Sequence, residues 1–360
     1  RYPAAHQVYR NGNAYFPDHE ILVTKILADA GYDCGLIGKL HLSSASIEET
    51  RPDDGYRFFK WCQNPGWEKV EGSNAYWTWL REKKNVDPKT LFPSAPPYLG
   101  EGVPTELHQL AWCAETAIDF IDEERSGPWQ LSVNPFDPHP PFDPPVEFLE
   151  KYNGEEITPP LFQESDIKRQ EQFSTVRNQK LKSVNPVLND KERAEFAPGP
   201  GDERGAKPPE RFDGLGIKAA YYAMIENIDA QFGRIIAYLT STGEIENTMI
   251  VFSSDHGEML GDHGRHGKVS WYEASAGIPL IISGPGIQQG VTSDALVELH
   301  DLAATMIDYA NAEKLPDMEA KSLRPLLSGK CHEHRDFVRS AIYFKHLHWD
   351  LIFDGRYKYV

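Results

Sequence analysis

This sequence predicts an α/β fold: a large, mostly parallel mixed sheet sandwiched between helices, followed by the start of a small C-terminal antiparallel subdomain. Three observations carry that prediction. Short apolar runs alternate with long amphipathic segments through most of the chain, as in a sheet covered on both faces. Several of those runs stop at polar turns bearing Gly, Lys, Asp or His, where an open α/β sheet presents its ligands. After residue 315 the pattern shortens to brief strands separated by turns.

The elements follow in order. Pro17 to Ala30 reads as a helix, with Ile21, Ile26, Leu27 and Ala30 partly sharing a face and Gly31 ending it. Cys34 to Ile37 is the next strand. Thr105 to Asp122 is a second helix, with Thr105 at the N-cap and Glu106 after it. Trp129 to Val133 is a strand. Gly216 to Thr240 is a third helix, striped by Ala223, Ile228, Phe232, Ile235, Ile236 and Leu239 and ended by Gly243. Thr248 to Phe252 and Pro279 to Ser283 are further strands. Ala341 to Phe344, Trp349 to Phe353 and Tyr357 to Val360 are the short closing strands. The expected division is a main α/β domain over 1–315 and a beginning subdomain over 316–360.

Two stretches break the alternation. Trp61 to Trp79 carries Trp61, Trp67, Tyr76, Trp77 and Trp79, and reads equally well as a wall for a ring-bearing substrate or as a hydrophobic cluster beneath a loop. Residues 163–213 are polar and charged, with prolines and glycines crowded into 197–209, and read as an irregular surface excursion.

With 360 residues, 40% hydrophobic and 25% charged, the composition is that of a globular protein with a sizeable core. Thirty-seven Lys and Arg against 54 Asp and Glu give a net charge of −17, which argues against a nucleic-acid or anionic-membrane partner. Cys34, Cys62, Cys113 and Cys331 are far apart and form no C-x-x-C, so free thiols are expected. No run of about twenty apolar residues predicts a transmembrane helix. Localisation and oligomeric state stay open.

The chemistry concentrates at strand ends. Ile250 to Phe252 runs into Ser253-Ser254-Asp255-His256-Gly257. A carboxylate and an imidazole side by side suit a divalent cation, and Gly257 lets the backbone turn away at once. Lys39 and His41 follow the run Cys34 to Ile37, His139 follows Leu131 to Val133, and Lys268 follows the Asp255 turn. Two ammonium groups, imidazoles and a metal pair in one pocket suit a multiply charged oxyanion. Asp262 to Gly264 repeats Asp-His-Gly without a preceding apolar run and reads as a structural loop, and His266 lies close to Lys268. Asp137 and Asp143 flank His139 and either orient it or cap turns.

These motifs resemble those of the formylglycine-dependent sulfatases of the alkaline phosphatase superfamily. The matches are G-Y-x-x-x-x-x-G-K-x-H at Gly31 to His41, P-H-x-P-F at Pro138 to Phe142, S-D-H-G at Ser254 to Gly257 and G-K-x-x-x-Y-E at Gly267 to Glu273. Softer matches are Tyr221 to Ile236, Leu299 to Ala310 and the closing RYKYV. They run in the family's order over nearly the whole chain. The resemblance implies an alkaline phosphatase-like fold and an arylsulfatase-like hydrolase. In it Asp255 and His256 bind a divalent metal, Ca²⁺, and Lys39 and Lys268 hold sulfate oxygens. His41 contacts the formylglycine hydrate and helps release sulfate, and His139 acts as general acid at the leaving oxygen.

Arg1-Tyr2-Pro3 resembles the tail of the family's T-G-R-Y-P, which lies just after C-x-P-S-R and its convertible Cys. That Cys and the family's Asp-Asp metal pair are not among these residues, and none of the four cysteines is followed by Pro-Ser-Arg. The expectation is a fragment truncated at both ends and inert as it stands. The implied substrate is a small-molecule or carbohydrate sulfate ester. A phosphonate monoester or phosphodiester hydrolase of the same superfamily, or a non-catalytic relative that binds sulfated glycan, is the alternative.

Overall fold

In the computed structural model, strand β1 (Asp33–Gly38) lies between β2 (Tyr56–Trp61) and β3 (Trp129–Asn134), parallel to both. The structure describes residues 2–8, 16–42, 51–68, 70–92, 96–152, 156–172, 185–189, 191, 192, 195, 213–344 and 347–360. β1 is buried from Cys34 to Gly38, as expected of a strand covered on both faces. Helix α1 (Val23–Asp29) covers one face, where Cys34 Sγ reaches the carbonyl of Thr24. Helices α2 (Ala75–Lys83) and α3 (Gln109–Asp122) cover the other. A Cβ at Gly35 would meet Leu131 and Phe120 side-chain atoms at 2.8 Å, so the glycine lets α3 lie close to the strand.

The long helix α4 (Gly214–Thr242) packs along α3. Its ends follow local chemistry. Asp213 accepts the Leu215 N–H at 3.2 Å, and Gly243 closes the other end at φ 78°. Strands β4 (Ile250–Ser253) and β5 (Leu280–Ser283) follow as an antiparallel pair. Helix α5 (Asp301–Tyr309) packs on α1. The chain closes with the antiparallel β6 (Val338–Phe344), β7 (Leu347–Phe353) and β8 (Lys358–Tyr359). The sequence reading of the sheet and of a small closing antiparallel set holds, with these differences in detail.

The first helix begins six residues later than Pro17: Glu20 N–H closes a turn onto Pro17 O at 2.9 Å, and Leu22 stays extended. Thr105 is not the cap of α3. Its hydroxyl is drawn to Glu147, residues Thr105–Leu107 form a 3₁₀ turn, and the His108 ring accepts the Leu110 N–H instead, at 3.2 Å. β2 and α2 were not foreseen. Asn74, whose side chain accepts the Tyr76 and Trp77 N–H groups, is the cap that the aromatic run obscured. Tyr76, Trp77 and Trp79 join Ile37, Trp112 and Ala117 in the largest buried cluster, so that part of the run is core. The excursion expected over 163–213 lies largely outside the described residues.

One buried ionic network ties the chain's two ends together. Asp301, fully buried, bonds Arg335, takes the Lys321 N–H at 2.8 Å and lies 3.1 Å from His334 Nε2. Glu298 takes the Tyr2 hydroxyl at 2.6 Å and the Arg339 N–H at 2.6 Å, and lies 3.4 Å from Arg335 Nη1. Burial pushes the Asp301 carboxyl up, but the Arg335 bonds and two backbone N–H groups outweigh it and hold the group at about 2.

A folded-state carboxylate pKa below its unfolded value stabilises the fold above the unfolded value, and that contribution is lost as pH falls through the folded one. Stability therefore falls between pH 3.8 and about 2 in part through Asp301. Arg335→Met leaves buried carboxylates unpaired and is expected to cost about 3–5 kcal/mol in urea unfolding at neutral pH, with a flatter acid limb. A loss below about 1 kcal/mol would show that the network is not needed.

Candidate functional site

The candidate site is built by backbone clamps at three strand ends. Gly38 ends β1 at φ 99°, and a Cβ there would stand 2.1 Å from Asn134 O, so only glycine allows this approach. Lys39 N–H then donates to Asn134 O at 2.7 Å, and Asn134 Nδ2 returns a bond to Lys39 O at 3.0 Å. Trp61 Nε1 donates to Leu40 O at 3.2 Å, which fixes the residue between Lys39 and His41. Asn134 and Trp61 are positioning residues that sequence reasoning missed; nothing in their local pattern signals a long-range clamp.

The turn after β4 is laced to the segment after Lys268. Gly257 N–H donates to Ser275 O at 2.9 Å, and a Cβ on Gly257 would lie 2.1 Å from Ala274 O. Ser253 Oγ donates to Pro279 O at 2.9 Å. Beside Lys268, Val269 holds φ 72°, an uncommon conformation for a β-branched residue. Val269 and Trp271 pack on Trp349 and Leu351 of β7, and Lys358 Nζ donates to Glu273 at 2.7 Å. The closing antiparallel strands thus brace the Lys268 loop.

These clamps bring the expected residues together. Lys39 Nζ lies 3.3 Å from Asp255 Oδ2, across 216 residues of sequence. His256 Nε2 lies 3.6 Å from the same oxygen, and the His139 and His256 rings are 6.4 Å apart, edge to face. Asp255 is exposed and Lys39, His139, His256 and Lys268 are partly covered, while His41 lies exposed just beyond Lys39. The turn after β3 carries His139 between two cis peptide bonds, Asp137-Pro138 and Pro140-Pro141.

The electrostatics are those of a site short of negative charge. Burial, and then the Lys39 ammonium, lower Lys268 to about 8. Burial, then Lys268, Lys39 and His256, lower His139 to about 3. Burial and Lys268 also lower His256. Partial desolvation by the surrounding residues raises the Asp255 carboxyl, but Lys39, His256 and Lys268 together bring it below its usual value. Glu258, a buried carboxyl that takes the Gly267 N–H, is pushed up to about 7 by burial. It is a further site neighbour that sequence reading passed over, although it adjoins the Ser-Asp-His-Gly turn.

The metal reading of Asp255 and His256 finds support in one detail. His256 Nδ1 lies 2.8 Å from Gly257 O, so that nitrogen carries the proton, and Nε2 is buried with no hydrogen-bond partner among the described residues. A backbone carbonyl that fixes the tautomer and leaves Nε2 as a lone-pair donor is how metal-binding histidines are held. Glu298, His300 and Asp301 also group their donor atoms within 4.8 Å. Arg335, Arg339, Tyr2 and His334 already occupy those carboxylates, so that group is the ionic network described above.

The neighbouring polar residues sort themselves. Asp137 does not orient His139: His139 Nδ1 lies 2.8 Å from Pro140 O, while Asp137 takes the Gln109 amide at 2.7 Å. Asp262 accepts the Leu161 N–H at 2.8 Å, and His263 stacks on Tyr272 at 4.1 Å and contacts Asp166 at 3.2 Å, which is loop structure. All four cysteines are free, and Cys34, Cys62 and Cys113 are buried.

A family model described as Sulfatase matches residues 1–312. An arylsulfatase of Clostridium perfringens is 29% identical over 346 residues, covering 92% of this chain and 66% of the relative. The chain thus spans just under two thirds of that relative's length. A phosphonate monoester hydrolase from Silicibacter pomeroyi superposes with a TM-score of 0.73 at 22% identity, over 95% of this chain and 68% of the other. A structure in complex with its substrate D-glucosamine-2-N,6-O-disulfate superposes with a TM-score of 0.68 at 21% identity, over 99% and 76%. At these identities the two superpositions establish the alkaline phosphatase-like fold.

Because Lys268 loses its proton near pH 8, sulfate affinity of the metal-free chain is expected to fall as pH rises through that value, approaching about tenfold per unit. Calorimetric titration with sodium sulfate between pH 7 and 10 measures it. Lys268→Arg, which stays charged, moves the loss to higher pH; a flat profile in the native chain would remove Lys268 from the site.

Proposed function

The chain belongs to the sulfatase family, and from that premise we propose that its converged strand ends serve hydrolysis of a sulfate monoester with a bound divalent metal, calcium. The observation that carries this reading is the meeting of Lys39 and Asp255 at 3.3 Å, with His139, His256 and Lys268 gathered around them. Such a cluster repels added positive charge on its lysine side and attracts a doubly bonded oxyanion.

Lys39 and Lys268 hold sulfate oxygens as point charges. Asp255 and His256 would hold the metal, with the unpartnered Nε2 of His256 as one donor. A divalent cation held there would supply Lewis-acid polarisation of the sulfuryl oxygens. His139 keeps its Nδ1 proton on Pro140 O, so Nε2 is the nitrogen that exchanges a proton with the leaving oxygen. Burial first, and then the neighbouring lysines, keep its ring neutral in the free chain, and a sulfate ester seated between the lysines offsets their part of that effect. His41, exposed just after Lys39, is assigned in this reading to contact the formylglycine hydrate and to help release sulfate by deprotonating it.

The nucleophile in this reading is a formylglycine, and none of Cys34, Cys62, Cys113 or Cys331 has the sequence context for that conversion. The likeness in fold to a phosphonate monoester hydrolase makes an aryl phosphonate the competing substrate. An aryl or carbohydrate sulfate is the substrate favoured by the family match.

Two outcomes are expected. Calcium at about ten times its Kd stabilises the chain by about 1.4 kcal/mol, a shift of a few degrees in Tm, and His256→Ala abolishes the shift. No shift with calcium, magnesium or manganese, or one indifferent to His256, removes the metal assignment. The 360-residue chain itself shows no turnover of 4-nitrophenyl sulfate. Joined upstream to a convertible Cys-x-Pro-Ser-Arg segment and its Asp pair, it gains turnover that Lys39→Ala or Lys268→Ala lowers by about a hundredfold or more. A higher rate on the aryl phosphonate would reverse the substrate assignment.

A further inference from the structure

Behind the His139 turn lies a separate cavity of about 230 Å³. Phe136 adjoins both: its ring lies 4.6 Å from the His139 ring, and the residue lines the cavity. Lys39, His139, Asp255 and Lys268 do not line it, so what it binds is a question independent of ester hydrolysis.

Its lining is acidic and aromatic. Asp137, Asp143 and Glu101 contribute carboxyl groups, and no Lys or Arg is among the described lining residues. Trp67 and Phe92 supply ring surface. Asp137 is 9% exposed, and its Oδ2 has no hydrogen-bond partner among the described residues. Oδ1 is taken by the Gln109 amide at 2.7 Å, while His108 Nε2 stands 3.7 Å from Oδ2, beyond a hydrogen bond. A buried carboxylate oxygen left without a donor is costly unless something supplies one.

We propose that this cavity binds a small organic cation, a primary or quaternary ammonium group, between the Asp137 carboxylate and the aromatic faces of Trp67 and Phe92. Ring faces and a carboxylate together are the usual recognition of such groups. Burial raises Asp137, and burial together with the Asp137 charge raises Asp143 well above the usual carboxylate range. A cation beside Asp137 offsets the burial of its charge, whereas a neutral polyol, which also suits rings and carboxylates, does not. Drug-sized sites run to about 300–1,000 Å³, so a cavity this small takes a head group rather than an extended glycan.

The test is calorimetric titration of the 360-residue chain with tetramethylammonium chloride, propylammonium chloride, the neutral isostere tert-butanol and methyl glucoside. Saturable binding of at least one cation is expected, about tenfold tighter than tert-butanol and unaffected by sulfate. Asp137→Asn is expected to weaken it about tenfold or more, and Glu101→Gln at the exposed edge about two- to threefold. Should Asp137→Asn fail to fold by circular dichroism, Trp67→Leu, which removes a ring face and no charge, is expected to weaken cation binding about fivefold or more. Equal binding of cation and tert-butanol, preference for methyl glucoside, no binding of either cation at tens of millimolar, or cation binding indifferent to these substitutions would each overturn the proposal.

Discussion

The geometry of this protein turns on how closely β1 approaches the end of β3. Gly38 brings its backbone to Asn134, and the two bonds between Lys39 and Asn134 then lock neighbouring strand ends into one register. Any side chain at position 38 would push those ends apart. Everything the site requires of Lys39, and of the His139 turn that leaves β3, depends on that contact. The Trp61 bond to Leu40 adds the third strand to the same clamp.

A second constraint acts from the other end of the chain. The loop carrying Lys268 is held in a conformation that Val269 would not choose in isolation, and β7 packs on it through Trp349 and Leu351. Strain of this kind persists only where the surroundings over-determine it. The ionic network of Glu298, Asp301 and Arg335 fastens the segment before β6 to α5 and to Tyr2. The small closing sheet is therefore part of the site's support and not an appendage to it.

The charge balance of the site runs opposite to that of the whole chain. A protein of net charge −17 gathers Lys39 beside Lys268 and two imidazoles, and burial resists protonation of the last three. A bound anion relieves that arrangement on its lysine side, which agrees with the ligand class proposed for the pocket. Close by, adjoining Phe136, the acidic cavity makes the reverse demand. Two neighbouring spaces with opposite charge preference can read two parts of one ligand or two different ligands.

Much of this was legible in the sequence, for identifiable reasons. Strand-end motifs such as Gly31 to His41 and Ser254 to Gly257 are local: their residues must follow an apolar run at short spacing, so order and chemistry reveal them. The alternation of strands and helices was likewise visible because each element writes its own period. The capping of α3 by His108 and the role of Asn74 were not, since neighbours far along the chain decided which cap won. Nor were Asn134, Trp61 or Val269, because each has its meaning only through a partner tens of residues away, nor the unpaired oxygen of Asp137, which only burial reveals. The sequence by itself determined which groups are available for chemistry. The tertiary structure alone decided which of them meet, because burial and distance, not residue type, set the charge each can carry.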